Sequence, residues 1–152
     1  MNTFILTQLI TAFLGTLGFA VLYNLKGAKL LSAAFGGFCA WGIYLFLGLW
    51  ISNDPLKYFI VAIMGGIYSE FLARIQKTPA TTYMVLTLIP LIPGGMLYET
   101  MNYALQNSWD TFFNSAIETL KLAGSLALGV ITTSSIVRIL NALNSFMLSK
   151  KR

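Results

Sequence analysis

Most candidate functional residues of this sequence lie in one broken apolar run, residues 81–99. The run contains two prolines followed directly by two glycines: Pro90, Pro93, Gly94 and Gly95. Proline has no N–H, and its ring clashes with the carbonyl four residues back. The spacing therefore predicts a helix that breaks at the prolines and leaves the carbonyls of Leu86 and Ile89 without their usual donors. The glycines are expected to allow backbone angles that other residues resist.

A helix that restarts at Gly94 or Gly95 would direct free N–H groups and the positive end of its dipole into the break. Such a helix start binds anionic groups, and freed carbonyls accept from an ammonium group. The pattern predicts a binding place for a zwitterion such as an amino acid. Tyr98 offers a hydroxyl one turn further on. The alternatives are a simple proline kink and, for Tyr98, a place in the interfacial aromatic belt.

Charged and hydroxyl side chains in or beside apolar runs form a second set of candidates. Glu70 and Arg74 are either coupling and gating residues or an ordinary pair four residues apart on a helix. Glu99 follows the break directly and is either a carrier residue or an interface charge. Thr132 and Ser135 belong to a row of four hydroxyls that lines a polar path, bonds across helices or bonds the carbonyls one turn back.

The composition argues against an enzyme. The chain has no histidine, and its single cysteine, Cys39, lies inside an apolar run. Asp54 and Asp110 fall in predicted loops, so no catalytic pair or cluster of metal ligands is expected. We predict no metal and no cofactor. The net charge of +5 comes from basic residues at the ends of apolar runs, which indicates membrane topology and no nucleic-acid partner.

The elements that must position these residues are membrane helices. The 152 residues are 57% hydrophobic and only 10% charged, which is the composition of a protein embedded in a lipid bilayer. At about 20 residues per span, the whole chain, residues 1–152, predicts one all-α domain of five transmembrane helices. The predicted spans are residues 3–23, 30–51, 56–76, 78–98 (the broken one) and 116–137, with an apolar extension to Leu148. The polar stretch 99–115 is predicted to include a short surface or re-entrant helix.

Basic residues give the predicted bundle an orientation. They concentrate in the first and third loops and in the tail, at Lys26, Lys29, Arg74, Lys77, Lys150, Lys151 and Arg152. By the positive-inside rule these segments are cytoplasmic, so the N-terminus is outside and the C-terminus is cytoplasmic. Small residues four apart, such as Ala62 with Gly66, predict close helix packing within the bundle.

At this point the residues resemble a known family. Residues 66–80, with Glu70 and Arg74, precede the I-P-x-x-P-G pattern at residues 89–94, and Tyr98 follows it. Together with residues 23–44, they are similar to the C-terminal half of the threonine/serine exporter family, over about residues 20–137. Gly95 departs from the commoner form of the motif, which has a single glycine.

The resemblance implies a multi-pass protein of the bacterial inner (plasma) membrane that exports threonine and serine, driven by the proton gradient. It implies the small separate form of the module, which works with a partner membrane subunit that carries the other half of the exporter, or as a homo-oligomer. Two alternatives stay open. One is a subunit of a dicarboxylate (succinate) exporter, and the other is a scaffold subunit that does not itself transport.

Overall fold

The computed structural model describes the backbone of residues 2–149 and the side chains of residues 3–143, and over that range the chain is helical, with no strand. A 3₁₀ turn at Ile89–Leu91 separates the fourth and fifth of six α-helices. The helices are α1 (Asn2–Leu22), α2 (Ala28–Leu47), α3 (Asp54–Gln76), α4 (Ala80–Leu88), α5 (Gly94–Leu105) and α6 (Trp109–Ser149).

Four of the helices, α1, α2, α3 and α6, are long and apolar enough to cross a membrane. The pair α4 and α5 passes the same test when taken together, although it is bent by 58° at the break. The described residues therefore contain four candidate spans, or five if the bent pair is one span. An all-α membrane protein is confirmed, whereas the fifth span depends on that pair and the orientation stays a prediction.

Local sequence accounts for where the helices begin and end. Asn53 caps α3, since its Oδ1 accepts from the N–H of Leu56 at 3.2 Å, and Pro55 occupies the first turn, where a missing N–H is harmless. After α3, Lys77 adopts the left-handed conformation at φ 49° and ends the helix. Pro79 then precedes α4. The short connection makes α3 and α4 antiparallel neighbours.

Glycines let the helices approach closely. A Cβ placed on Gly37 would overlap the side chain of Thr16 on α1, and one on Gly66 would lie 2.7 Å from Thr133 on α6. A Cβ on Gly129 would meet the backbone oxygen of Phe59 at 2.9 Å. The predicted small-residue contacts are therefore present, and they hold α1 to α2 and α3 to α6.

The short helix α4 is the centre of the bundle. It contacts α1, α2 and α3, and its residues Tyr83, Met84, Leu86, Thr87 and Leu88 are all buried. The outer helices instead expose large apolar side chains, such as Phe4, Phe71 and Leu120, around the surface. That distribution suits a protein surrounded by lipid, and it leaves α4, the first half of the broken helix, enclosed by other helices.

The structure corrects the bounds of two predicted helices. The second helix ends at Leu47, before the predicted residue 51. The last helix runs from Trp109 to Ser149, well beyond the predicted 116–137. The stretch 99–115 is divided between the end of the short helix α5, a turn and the start of α6, and the bent pair α4 and α5 is either a broken span or a re-entrant segment, so the predicted short helix stays a prediction. The basic tail, residues 150–152, lies outside the described residues.

Candidate functional site

The break between α4 and α5 is built as a tight turn that pairs its own backbone groups. The N–H of Ile89 donates to the carbonyl of Leu86, and the N–H of Ile92 donates to the carbonyl of Ile89 at 3.2 Å. The expectation that these two carbonyls are unpaired is therefore wrong. Bonds three residues apart replace those that Pro90 and Pro93 cannot make.

The glycines after the break start the next helix, as predicted. The N–H of Gly94 donates to the carbonyl of Ile92 at 2.7 Å, which leaves Gly95 and Met96 as the donors of this helix start with no backbone acceptor in the described residues. Neither Gly94 nor Gly95 has a positive φ, so the expectation of unusual backbone angles is wrong. Both are exposed, and a Cβ on either would have nothing within 4 Å.

A cavity of about 240 Å³ lies beside the break, between α1, α2 and the 3₁₀ turn. It is lined by Gln8, Thr11, Ala12, Trp41 and Pro90. The Oε1 of Gln8 and the indole Nε1 of Trp41 are buried and have no hydrogen-bond partner in the described part of the chain. One is an acceptor and the other is a donor, so the wall beside the break holds one unpartnered polar atom of each kind.

Aromatic neighbours hold Trp41 in place. Its ring lies 5.0 Å from the ring of Tyr44, which meets Tyr58 edge-on at 5.3 Å. The ammonium of Lys57 lies 4.9 Å from the Tyr44 ring and pairs with Asp54 at 2.5 Å. The indole is therefore fixed by packing and its N–H is left without a partner, as in a preorganised donor.

A second cavity, of about 180 Å³, lies one helical turn before the break, between α2, α3 and α4. Thr87, Tyr68, Cys39, Gly36 and Gly65 are among its lining residues. Thr87 is only 1% exposed, and its hydroxyl has no hydrogen-bond partner among the described side chains and backbone groups. Because Gly36 and Gly65 lie near the middle of their helices, this unpartnered hydroxyl lies near the middle of the bundle.

The polar side chains on the other side of the second cavity are fully bonded. The hydroxyl of Tyr68 donates to the carbonyl of Ser32 at 2.7 Å, and Gln76 Nε2 donates to Ser32 Oγ at 2.7 Å. The hydroxyl of the fully buried Tyr83 donates to Gln76 Oε1 at 2.5 Å. These four residues form a network that joins α2, α3 and α4 next to the unpaired Thr87.

Glu70 and Arg74 lie away from the break, in a groove of about 490 Å³ between α3 and α6. The same groove is lined by Thr133, the neighbour of the predicted Thr132. Arg74 donates to Asn141 Oδ1 at 2.9 Å, and the ion pairs found among residues 3–143 do not join it to Glu70. Glu70 and Arg74 thus lie together in one groove. Neither of them lines the cavities at the break.

The remaining predicted residues are at the surface of the bundle. Tyr98 is 74% exposed, and Glu99 and Ser135 are also exposed. The hydroxyl of Thr132 donates to the carbonyl of Leu128 at 2.7 Å, the ordinary bond one turn back. Neither the cavity beside the break nor the one lined by Thr87 has Thr132 or Ser135 in its wall.

Sequence reasoning did not select Gln8, Trp41 and Thr87, although the structure places all three around the break. Gln8 carried a signal, because it is an amide in the first apolar run. Trp41 and Thr87 carried none, since both residue types are common in membrane helices.

A bundle of apolar helices that encloses the first half of a broken helix, with unpartnered polar side chains around the break, has the architecture of a membrane transport component. The family model described as Threonine/Serine exporter, ThrE, matches residues 8–136, and the chain belongs to this family. It is thus a multi-pass membrane protein and a transporter component of the threonine/serine exporter type. No curated protein and no solved structure matched the chain.

Proposed function

We propose that this chain is one subunit of a bacterial inner-membrane exporter that moves threonine and serine outward, coupled to proton entry and without chemical conversion of the cargo. The observation that supports it best is the break itself. Gln8, Trp41 and Thr87, with buried and unpartnered polar atoms, surround a helix interrupted near the middle of the bundle. In hydrocarbon such groups are costly unless a ligand or water meets them.

The groups around the break match the two ends of an amino acid. The Trp41 N–H and the backbone donors of Gly95 and Met96 suit a carboxylate. The Gln8 amide oxygen suits an ammonium group. A zwitterionic cargo uses both a donor and an acceptor at the break, whereas a dicarboxylate would use the amide NH₂ of Gln8 in place of its oxygen.

A partner membrane subunit, or a second copy of this chain, is part of the proposal. Helix α5 packs against α6. It exposes Tyr98, Met101 and Leu105 at spacings of three and four residues, with Gly94 and Gly95 at its open start. A helix placed there would cover the apolar face and enclose the break, which gives the exposed glycines a physical reason.

Glu70 is proposed as the residue that carries the coupling proton, with Arg74 as a gating residue. Its support is the groove between α3 and α6, where Glu70 is half-buried and Arg74 bonds Asn141 instead of the carboxylate. A carboxylate within a membrane bundle is expensive, and such residues usually serve ion or proton movement.

Efflux from loaded membrane vesicles tests the proposal. Vesicles from cells that lack the chain, carry it, or carry a variant are loaded with labelled threonine, serine or succinate, and proteoliposomes with the chain alone show whether a partner is needed. Gly94→Leu should abolish efflux, whereas Gly124→Leu, at a glycine on α6 with equally open space, should leave it unchanged. Efflux that survives Gly94→Leu would contradict a pathway at the break.

Proton coupling is tested separately in the same vesicles. Glu70→Gln should stop the response of efflux to an imposed pH gradient, and Glu118→Gln, in an exposed surface pair with Lys121, is its control. Absence of efflux of all three compounds, with the chain shown to be in the membrane, would favour a scaffold subunit. Efflux of succinate alone would assign a dicarboxylate cargo instead.

A further inference from the structure

The hydroxyl of Thr87 differs from the other buried hydroxyls of the spans. Those of Thr16, Ser69 and Thr133 each donate to the carbonyl one turn back, at 2.8, 2.7 and 3.1 Å. Thr87 makes no such bond to the carbonyl of Tyr83, and within the described part of the chain its hydroxyl is unpartnered at 1% exposure. A buried hydroxyl without a partner is uncommon and calls for an explanation.

The hydroxyl faces α2 at a place kept clear by a glycine. A Cβ on Gly36 would lie 2.6 Å from Thr87 Oγ1 and 2.7 Å from the Tyr68 ring. On the other side, a Cβ on Gly65 would lie 3.1 Å from the Thr87 methyl group. The Thr87 side chain is therefore packed between two glycines, one on α2 and one on α3.

The cavity that Thr87 lines has the size of a small side chain. Its volume is about 180 Å³, and a cavity of about 150 Å³ is known to hold benzene. Ala40 of α2 lines this cavity, and Trp41, the next residue in the chain, lines the cavity beside the break. Thr87 and Pro90 are likewise one turn apart on the broken helix. A cargo whose charged groups lie at the break would thus have its side chain near Thr87.

We infer that Thr87 is a specificity-determining residue whose hydroxyl bonds the side-chain hydroxyl of the cargo and so selects hydroxylated small amino acids over isosteric apolar ones. This inference rests on the proposed function and deepens it. The physical reason is that a site with a polar group waiting for a partner rejects the analogue that leaves it unpaired, whereas a purely apolar pocket discriminates weakly between a hydroxyl and a methyl group.

The test compares threonine with valine, which has a methyl group in place of the hydroxyl. Wild-type vesicles should export threonine in preference to valine. Thr87→Val should lower the threonine-to-valine efflux ratio by about tenfold or more, and Thr87→Ser should retain it. Thr16→Val is the matched control, since it removes a buried hydroxyl that is already bonded within the chain, and it should leave the ratio unchanged.

A second readout does not depend on transport. Cys39 lines the same cavity and is the only cysteine in the chain. Threonine should slow the alkylation of Cys39 by N-ethylmaleimide in the wild type, valine should slow it much less, and the protection by threonine should disappear in Thr87→Val.

The two readouts separate this inference from the proposed function. Protection of Cys39 by threonine without efflux would support the site and contradict the exporter role. Efflux of threonine with an unchanged ratio in Thr87→Val, or equal protection in Thr87→Val and the wild type, would overturn the inference and leave the exporter role standing. A cavity that holds only water would give no protection by either amino acid, which would also overturn it.

Discussion

Two neighbouring regions along α4 treat their polar side chains in opposite ways. Near its start, Tyr83 is joined to Gln76, Ser32 and Tyr68, and each of these side chains is hydrogen-bonded. Near its end, the polar atoms of Thr87, Trp41 and Gln8 are buried without partners. The first region resembles a structural network that fixes three helices, and the second resembles a site that awaits a ligand. We therefore expect the bonded region near the start of α4 to contribute mainly to stability, and the unpaired region near its end to contribute mainly to the proposed transport.

The largest loss of stability is expected at Gly36, where α2 lies close to Thr87 of the unpaired region and Tyr68 of the bonded region. Gly36→Leu places carbon atoms on top of Thr87 and Tyr68, 2.6 and 2.7 Å from the first added atom. Overpacking of this kind should cost about 3 kcal/mol or more of the free energy of unfolding. Thermal unfolding in detergent measures it, with Gly94→Leu as the control because its side chain meets open space. Equal stability of the two variants would mean that α2 and α4 can separate without cost.

A smaller loss is expected from the bonded region. Gln76→Leu removes the acceptor of the fully buried Tyr83 hydroxyl and one donor to Ser32. Leaving such a group unpaired should cost about 1–3 kcal/mol. Denaturant unfolding measures the change, and Gln106→Leu at the exposed end of α5 should be nearly silent. If Gln76→Leu also leaves the free energy of unfolding unchanged, the hydrogen-bonded network does not stabilise the bundle, and the stabilising role assigned to this region is wrong.

In the unpaired region, removal of a polar atom should change transport more than stability. Trp41→Phe deletes the unpartnered N–H and keeps most of the ring contact with Tyr44. We expect a change of less than about 1 kcal/mol in the free energy of unfolding, together with a clear fall in threonine efflux. A variant that unfolds easily, or that exports normally, would remove Trp41 from the site.

The smallest change in stability, and one of opposite sign, is expected at Thr87. Thr87→Val replaces an unpaired hydroxyl by a methyl group of similar size, so stability should stay equal or rise by up to about 1 kcal/mol. Unfolding curves of Thr87→Val and Gln76→Leu, measured side by side, therefore compare the two regions directly: Gln76→Leu should lower the free energy of unfolding and Thr87→Val should not. Clear destabilisation by Thr87→Val would show that its hydroxyl has a partner in the membrane-embedded protein.

The break shows how far sequence reasoning reached. The position of the interruption and the restart at Gly94 were predicted correctly, because a proline ring acts locally wherever it stands. The unpaired carbonyls and the special glycine angles were wrong, because the chain tightened into a 3₁₀ turn. The pairing of Glu70 with Arg74 was one of two open alternatives, and the structure gives Arg74 a partner on α6 that its own helix could not reveal.

The class of the protein, the approximate helices, the small-residue packing positions and the interrupted fourth helix can be predicted from the sequence, because hydropathy and backbone chemistry are properties of short stretches of chain. Which polar groups meet at the break depends on how the helices pack. The tertiary structure places Gln8, Trp41 and Thr87 around the break and Tyr98 and Ser135 at the surface. The physical reason is that the partner of a buried polar atom depends on which helix packs against it, and that packing joins residues far apart in the chain.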